Sequence, residues 1–306
     1  MRSLPVLGEY RSAARRQEAI VGFCFVLPAL ALYALFGLYP FIRTIALSLT
    51  DWDGVSATSR AVGLSNYATA LHDNLWWTSL RNGAFFAVMA LVFMNGLALG
   101  LALAVDSKVR GASFYRALFY LPTILSGIVV AIIWKWLYQP FGGPLNEFLK
   151  VVGLPDLARP WLGDSRTAIW AVSIASMWQG IGNPFLLFLA GLQGIPVEIY
   201  EAARIDGANE SQLFRHIIIP YLVPVGTLIS VLTVLGAMQI FNTVVAMTNG
   251  GPGYATEVPV LHIYREAFSL FHMGYATALA IIFGLLLFAL SVLQLWLSRR
   301  VGVRAS

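Results

Sequence analysis

The chain has 306 residues, of which 58% are hydrophobic and only 11% charged. Soluble globular domains carry roughly 25% charged residues, so this chain could not cover its own surface in water and must use lipid as solvent for much of its length. Its single cysteine, Cys24, excludes an intrachain disulfide framework. Its net charge of +5 is not gathered into a dense basic patch interleaved with aromatics, which argues against nucleic acid as a partner.

The N-terminal segment is basic and leads into a long apolar run. Arg2, Arg11, Arg15 and Arg16 precede that run. The run is too long for the apolar region of a signal peptide, and no small-x-small cleavage site ends it. We therefore expect a cytoplasmic tail over residues 1–18, followed by a retained signal-anchor.

Six apolar stretches are long enough to cross a bilayer. A hydrocarbon core of about 30 Å needs about 20 apolar helical residues. The stretches do not alternate polar and apolar residues, as the strands of a membrane barrel would. The sequence therefore predicts an all-α polytopic membrane protein whose six transmembrane helices cover residues 19–42, 80–105, 117–138, 167–190, 222–247 and 273–298.

The loop charges predict the orientation of these spans. If the N-terminus is cytoplasmic, the cytoplasmic segments hold 12 of the 20 Lys and Arg residues in 68 residues, whereas the outer loops hold six in 90. Lys and Arg are enriched in cytoplasmic loops. We therefore expect both termini in the cytoplasm, with a C-terminal tail over residues 299–306.

The cytoplasmic loop over residues 191–221 predicts two short helices that meet at Gly207. A glycine there suits the left-handed stop of a first helix, and Asn209 can cap a second one. Pro220 is expected to end the second helix, and Pro224 to open the next span.

This loop is acidic, with Glu198, Glu201, Asp206 and Glu210 close together. Two interpretations are open from composition alone: an amphipathic helix lying on lipid headgroups, or a surface that docks another protein. Helices that bind anionic lipid are usually basic on their polar face, which counts against the first interpretation.

The segment 201–224 also carries a motif, E-A-A-x2-D-G-A-x5-F-x2-I-x2-P-x3-P. It resembles the cytoplasmic loop signature of binding-protein-dependent ABC importer permeases, in which the elbow is a coupling helix that fits a cleft on a cytosolic ATPase subunit. The resemblance implies a type I importer permease fold. It also implies an ATPase-coupling role for Glu201, Ala202, Ala203, Asp206, Gly207, Ala208, Phe214, Ile217, Pro220 and Pro224.

Further stretches are similar to the carbohydrate-importing branch, in particular to its maltose-type and glycerol-3-phosphate-type first permeases. The resemblance covers most of the chain from the first span to the last, and the large outer insert of some maltose-type permeases is missing. The matching stretches are SLTDWDG (48–54), VGLSNY (62–67), FYRALFYLPTILS (114–126), FN-x4-MTNGGP (241–252) and GYATALA (274–280).

The chain contains no G-x-x-x-x-G-K-[ST] loop, so it cannot cradle ATP phosphates in that way. The resemblance implies two partner ATPase subunits that use ATP and Mg, a second homologous permease subunit and an extracytoplasmic solute-binding protein. It places the chain in a prokaryotic inner membrane as a transport subunit. We expect it to bind no cofactor and to have no enzymatic activity of its own.

Polar and aromatic residues inside the spans are candidates for the substrate pathway. Intramembrane polar side chains face helix partners or a water-filled cavity, and aromatic rings can stack on a sugar. The spacing predicts that each amide pair shares a helix face. The alternative is that the amides hydrogen-bond between helices as packing contacts. The candidates are Gln179, Asn183, Gln239, Asn242, Trp178 and Tyr275.

Rival functions lack their expected residues. An ion-coupled secondary transporter would need carboxylates near mid-membrane, and the six predicted spans contain no Asp or Glu. A membrane enzyme would need clustered acids, histidines or a nucleophile–base pair, and the four scattered histidines give no metal-ligand spacing. A sugar or small oligosaccharide is the expected substrate, with glycerol 3-phosphate as the alternative.

Overall fold

A computed structural model describes residues 21–106 and 111–302. Within these residues the structure is helical, and one isolated bridge joins Thr50 to Ala61. The predicted tail 1–18 and the first two residues of the first predicted span lie outside the described residues. The main helices are α1 (Val21–Leu47), α2 (Ser65–His72), α3 (Asn74–Asp106), α4 (Ala112–Ile124), α5 (Gly127–Leu137), α6 (Pro144–Val151), α7 (Ala168–Gly180), α8 (Gly182–Gln193), α9 (Val197–Ile205), α10 (Glu210–Met238), α11 (Asn242–Met247), α12 (Pro259–Phe268) and α13 (Met273–Gly302).

Four of the described helices are long and apolar enough to cross a membrane. They are α1, α3, α10 and α13. Two further crossings are possible by length and composition, because α4 with α5 and α7 with α8 form apolar pairs bent by 97° and 45°. The described chain therefore offers four to six spans, depending on whether each bent pair is one span.

The predicted span 117–138 is wrong as a continuous helix. Leu125 and Ser126 are extended, with ψ near 142° and 149°, so α4 ends before them and α5 begins after them. The Ser126 side chain accepts a hydrogen bond from the Val129 N–H and caps α5. Hydropathy reports the length of an apolar run, and it does not detect a cap inside that run.

The predicted helix boundaries at Pro220 and Pro224 are also wrong. Both prolines lie inside α10, which runs without a break from Glu210 to Met238. A π turn over Phe214–Ile218 ends two residues before Pro220. Its wider winding makes room for a proline ring, which would otherwise clash with the carbonyl four residues back.

The remaining predicted spans differ from the structure mainly at their ends. The span 222–247 ends at Met238, and α11 follows as a separate short helix. The span 167–190 is divided at Ile181 into α7 and α8. The last helix continues to Gly302, so the first four residues of the predicted tail 299–306 are helical.

Helix packing leaves α1 apart from the core. The apolar stretch of α1 has no buried residue, whereas α3, α8 and α10 share one buried cluster. Ala98 and Ala102 of α3 are fully buried in that cluster, where their small side chains allow neighbouring helices to approach closely. The core that positions the site is therefore built from α3, α8 and α10.

The Asp73 carboxylate joins one end of α3 to α12 and α13. One oxygen accepts the backbone N–H groups of Leu75 (2.8 Å) and Trp76 (3.0 Å) and caps α3. The other accepts the Tyr275 hydroxyl (2.8 Å) and His262 Nε2 (3.1 Å). Burial alone would raise the pKa of Asp73, but these hydrogen bonds and the neighbouring His262 bring it below the ordinary value of 3.8.

We predict that Asp73→Ala lowers the stability of the detergent-solubilised protein by about 2–4 kcal/mol. The change removes a cap and leaves His262 and Tyr275 without their acceptor. Because the folded pKa of Asp73 is depressed, its contribution is present above pH 3.8 and is lost as the pH falls through the folded pKa. Thermal unfolding followed by tryptophan fluorescence measures the effect.

The matched control is Asp53→Ala. Asp53 accepts the N–H groups two and three residues ahead, as Asp73 does, but it caps a surface turn, where its hydrogen bonds go to Val55 and Ser56. Equal losses in the two variants would show that the contacts of Asp73 with α12 and α13 contribute nothing.

Candidate functional site

The loop between α8 and α10 forms a sharp elbow at Gly207. The backbone of Gly207 is left-handed, with φ +83°. The Gly207 N–H donates to the Arg204 carbonyl (3.1 Å), and the Ala208 N–H donates to the Ala203 carbonyl (2.9 Å). These two bonds form a Schellman motif, which satisfies the last carbonyls of α9 and reverses the chain. The predicted elbow at this glycine is therefore confirmed.

A capping box starts α10 directly after the elbow. Asn209 Oδ1 accepts the Gln212 N–H, and Gln212 Oε1 accepts the Asn209 N–H, both at 2.9 Å. An exposed ion pair between Arg204 and Glu210 (3.3 Å) spans the two helices. The elbow is thus fixed by local hydrogen bonds on both sides.

One face of the elbow is anchored to the helix core. Leu213 is buried, and Tyr200 and Ile217 pack against the cluster of α3, α8 and α10. Burial, and secondly the charge of Asp106 at the end of α3, raises the pKa of the Tyr200 hydroxyl. Tyr200 was not among the predicted site residues, because nothing in its spacing from Ile217 indicates that both residues face the core.

The other face of the elbow is exposed in the described chain. Glu201, Ala202, Asp206 and Gly207 are all exposed, and the side chain of Ile205 is 86% exposed. An isoleucine this exposed, next to Asp206 and one turn after Glu201, forms a mixed surface, which is typical of protein contacts and not of a headgroup-binding helix. Sequence reasoning missed Ile205.

The ten predicted coupling residues divide between these two faces. The structure brings the acidic and small residues of 201–208 together at the elbow, whereas the later motif residues belong to the root of α10. Phe214, Ile217 and Pro220 are half-buried there, and Pro224 is exposed on α10. The motif therefore encodes an exposed elbow together with the helix on which it is mounted.

A cavity of about 670 Å³ lies between α3, α7, α8 and α10. Gln179 and Asn183 line it, together with mainly apolar side chains. Its polar lining also includes Thr233, whose hydroxyl donates to Asn95 Oδ1 (3.1 Å), and Thr243. A mainly apolar cavity with a few polar groups is the usual form of a small-molecule site.

The two helix breaks satisfy each other's backbone groups beside this cavity. Gln179 Nε2 donates to the Leu125 carbonyl (2.9 Å) at the break between α4 and α5. In return, the Thr123 hydroxyl donates to the Gln179 carbonyl (2.7 Å) and accepts the Gly182 N–H (3.1 Å) at the break between α7 and α8. Thr123 was not a predicted site residue.

The structure does not bring the other predicted pathway residues to the cavity wall. Gln239 follows the last residue of α10 and Asn242 begins α11, so the two amides do not share a helix face as predicted. The break between them brings Ile240 and Thr243 to the wall instead.

The two predicted aromatic residues also have other partners. The Trp178 ring makes an edge contact with Trp134, with 5.9 Å between the ring centroids. The Tyr275 hydroxyl donates to Asp73. Neither residue lines the cavity. The Gln179–Asn183 pair does line it, but from opposite sides of the bend at Ile181.

The sequence of this chain is similar to those of known transport proteins. The family model described as "Binding-protein-dependent transport system inner membrane component" matches residues 96–303. The multiple sugar-binding transport system permease protein MsmF of Streptococcus mutans is 33% identical over 92% of this chain and 96% of its own length. The sn-glycerol-3-phosphate transport system permease protein UgpA of Agrobacterium fabrum is 33% identical over 90% and 93%.

The fold has a counterpart among solved structures. A chain of a bacterial ABC transporter involved in the import of the acidic polysaccharide alginate superposes with a TM-score of 0.80. The match covers 95% of this chain and 99% of that chain at 20% sequence identity. The likeness shows that the two chains share an all-helical fold.

We predict that Gly182→Ala destabilises the bent pair of α7 and α8. A Cβ at Gly182 would lie 2.4 Å from Thr123 Oγ1 and 2.8 Å from the Tyr120 ring, so the two breaks must move apart. Such overpacking costs about 1–3 kcal/mol. Thermal unfolding in detergent measures the loss.

The control is Gly236→Ala on α10. Gly236 also lines the cavity, but a Cβ there meets nothing within 4 Å. A Gly182→Ala protein as stable as the Gly236→Ala protein would contradict the close contact between the breaks.

Proposed function

The chain belongs to the family of binding-protein-dependent transport system inner membrane components, and we propose that it is the permease subunit of an ATP-driven importer for a sugar or small oligosaccharide. The observation that carries this proposal is the exposed elbow, held by a Schellman motif and a capping box on an unbroken helix. Such an elbow offers a rigid surface for a separate motor subunit.

The proposed partners follow from two features of the chain, its lack of an ATP-binding motif and its exposed elbow. It has no phosphate-binding loop of the Walker type, so two partner ATPase subunits would use ATP and Mg. The elbow would be the surface through which this chain binds the ATPases. A second, homologous permease would complete the pathway. An extracytoplasmic solute-binding protein would deliver the substrate, in agreement with the family's description.

The proposed mechanism uses α10 as a lever. This helix has 29 residues, which correspond to about 43 Å, and it connects the elbow to the cavity wall. Ile229, Thr233 and Gly236 of α10 line the cavity. Movement of the elbow by the ATPases would therefore displace this wall. The motor can shift the permease between two states only if it binds the elbow differently in each of them.

The cavity is the proposed substrate pathway. Asn183 is exposed towards it and can hydrogen-bond a sugar hydroxyl, while the apolar wall can contact the apolar face of a sugar ring. The side chain of Gln179 already donates to Leu125, so its first role is to hold the helix break.

Glycerol 3-phosphate is the second candidate substrate, because a permease for it is 33% identical to this chain. An anionic substrate would need fixed positive charge in its path. The cavity-lining residues carry no Lys, Arg or His, which favours a neutral sugar. Equilibrium binding of neutral sugars and of glycerol 3-phosphate to the cognate binding protein distinguishes the two.

We predict that Gly207→Val uncouples uptake from ATP hydrolysis. A β-branched residue at φ +83° is strained by about 1–2 kcal/mol, and this shifts a conformational equilibrium by about tenfold. Gly207→Pro and Glu201→Lys should uncouple as well, because they disturb the elbow and its acidic surface. Uptake and ATPase rates in proteoliposomes with all partners measure coupling.

The matched control is Gly207→Asn, since asparagine tolerates left-handed backbone. A Cβ at this position meets nothing within 4 Å, so the two variants differ in backbone strain and not in collisions. Uptake at the wild-type rate in Gly207→Val and Glu201→Lys would contradict the proposal that the elbow couples uptake to ATP hydrolysis.

We predict that Asn183→Leu raises the KM for uptake by about tenfold, because the variant keeps the side-chain volume but loses the amide. Asn242→Leu should leave the KM unchanged, since Asn242 does not line the cavity. Initial uptake rates over a range of substrate concentrations test both. Equal KM values for the two variants would place the substrate elsewhere.

A further inference from the structure

The loop between α5 and α7 carries a helix with two apolar faces. The inner face of α6 holds Asn146, which is buried, and Leu145 and Leu149, which are half-buried. The outer face presents Phe148 and Val151, three residues apart on one side of the helix. The inner face explains how α6 is attached to the protein, but the outer face has no such partner in the described chain.

Asn146 fixes α6 to the end of α5 and to the start of the segment before α7. Its Nδ2 donates to the carbonyls of Pro140 and Arg159, both at 3.1 Å. Its Oδ1 accepts Trp161 Nε1 (2.8 Å) and the Arg159 N–H (3.3 Å). With its amide bonded on both sides and buried, Asn146 holds α6 in one position. The outer face therefore cannot be covered by rotation of the helix.

The outer face is strongly apolar and exposed. The side chain of Phe141 is 93% exposed, and that of Val151 is 84% exposed. The only charged pair on α6, Lys150 with Glu147 (2.8 Å), neutralises itself. The exposed large apolar residues of α6 and of the chain on either side of it are Phe141, Phe148, Val151, Val152, Leu154 and Leu157. Contiguous apolar patches on a protein surface mark sites of contact with a membrane or another protein.

We infer that this face of α6 lies in the membrane interface and inserts into the outer leaflet. Its position supports lipid as the occupant. Only six residues separate α6 from α5, the second half of an apolar helix pair that is long enough to span a membrane, and Asn146 ties α6 back to the carbonyl of Pro140. The exposed indole of Trp136 in the last turn of α5 is a residue type enriched at the headgroup level. The apolar face of α6 therefore continues a lipid-facing surface.

A solute-binding protein suits this face less well. A protein that docks and leaves in every cycle would return these six apolar side chains to water each time. Interfaces of such transient complexes are only about as apolar as ordinary protein surface. A lipid leaflet covers the face permanently, and the neutral Lys150–Glu147 pair can remain among the headgroups.

The test uses the full chain in nanodiscs, isolated with its partner subunits, in a Cys24→Ser background that removes the single native cysteine. Single cysteines at Phe148→Cys and Val151→Cys carry an environment-sensitive NBD probe. Both positions are exposed, so neither label should disturb folding, and a thermal melt checks this. The matched control is Val55→Cys, another exposed valine, in the surface loop after Asp53.

We expect the probes at 148 and 151 to emit at shorter wavelength and to lose about half of their intensity when the lipid is replaced by dibrominated phosphatidylcholine. The probe at 55 should change little. Quenching at 148 and 151 no greater than at 55 would overturn the inference. A blue shift at these positions that appears only after a purified solute-binding protein is added would assign the face to that protein and would overturn it as well.

Discussion

The organisation of this protein depends on the satisfaction of backbone hydrogen bonds where helices break inside an apolar environment. Lipid offers no partner to a free N–H or carbonyl group, so each break must find one within the protein. Here the two breaks supply each other. Thr123 bonds to the Gln179 carbonyl and the Gly182 N–H, and the Gln179 amide bonds to the Leu125 carbonyl. This exchange allows irregular backbone to stand beside the cavity.

The elbow and the cavity are two ends of one mechanical element. The elbow is defined by local bonds around Gly207 and Asn209, and α10 continues from it without a break to the cavity wall. Pro220 and Pro224 do not interrupt it, and the π turn at Phe214–Ile218 makes room for the ring of Pro220. A helix that is stiff over this length can carry a displacement from the elbow to the proposed pathway. On the far side, Asp73 holds α3, α12 and α13 together, so these helices can serve as the fixed frame.

Much of the fold and the elbow follow from the sequence, because local chemistry decides them. Apolar runs of membrane length predict helices, and the lack of alternation excludes strands. The left-handed stop at Gly207 and the cap at Asn209 were predictable, since each depends on the conformational preference of one residue and its near neighbours. The acidic, exposed character of the elbow was also visible in the residues themselves.

Only the tertiary structure decided where the long helices break and which polar groups meet. The continuous helix predicted for 117–138 fails at Leu125, because the free carbonyl there is satisfied by Gln179, a residue 54 positions away in the chain. The amides of Gln239 and Asn242 do not share a helix face, because the helix predicted to hold both ends at Met238. Thr243 lines the cavity wall instead of them. Tyr275 bonds to Asp73, 202 positions away. Hydropathy and spacing describe neighbours along one helix, whereas these contacts depend on hydrogen bonds between helices that are far apart in the sequence.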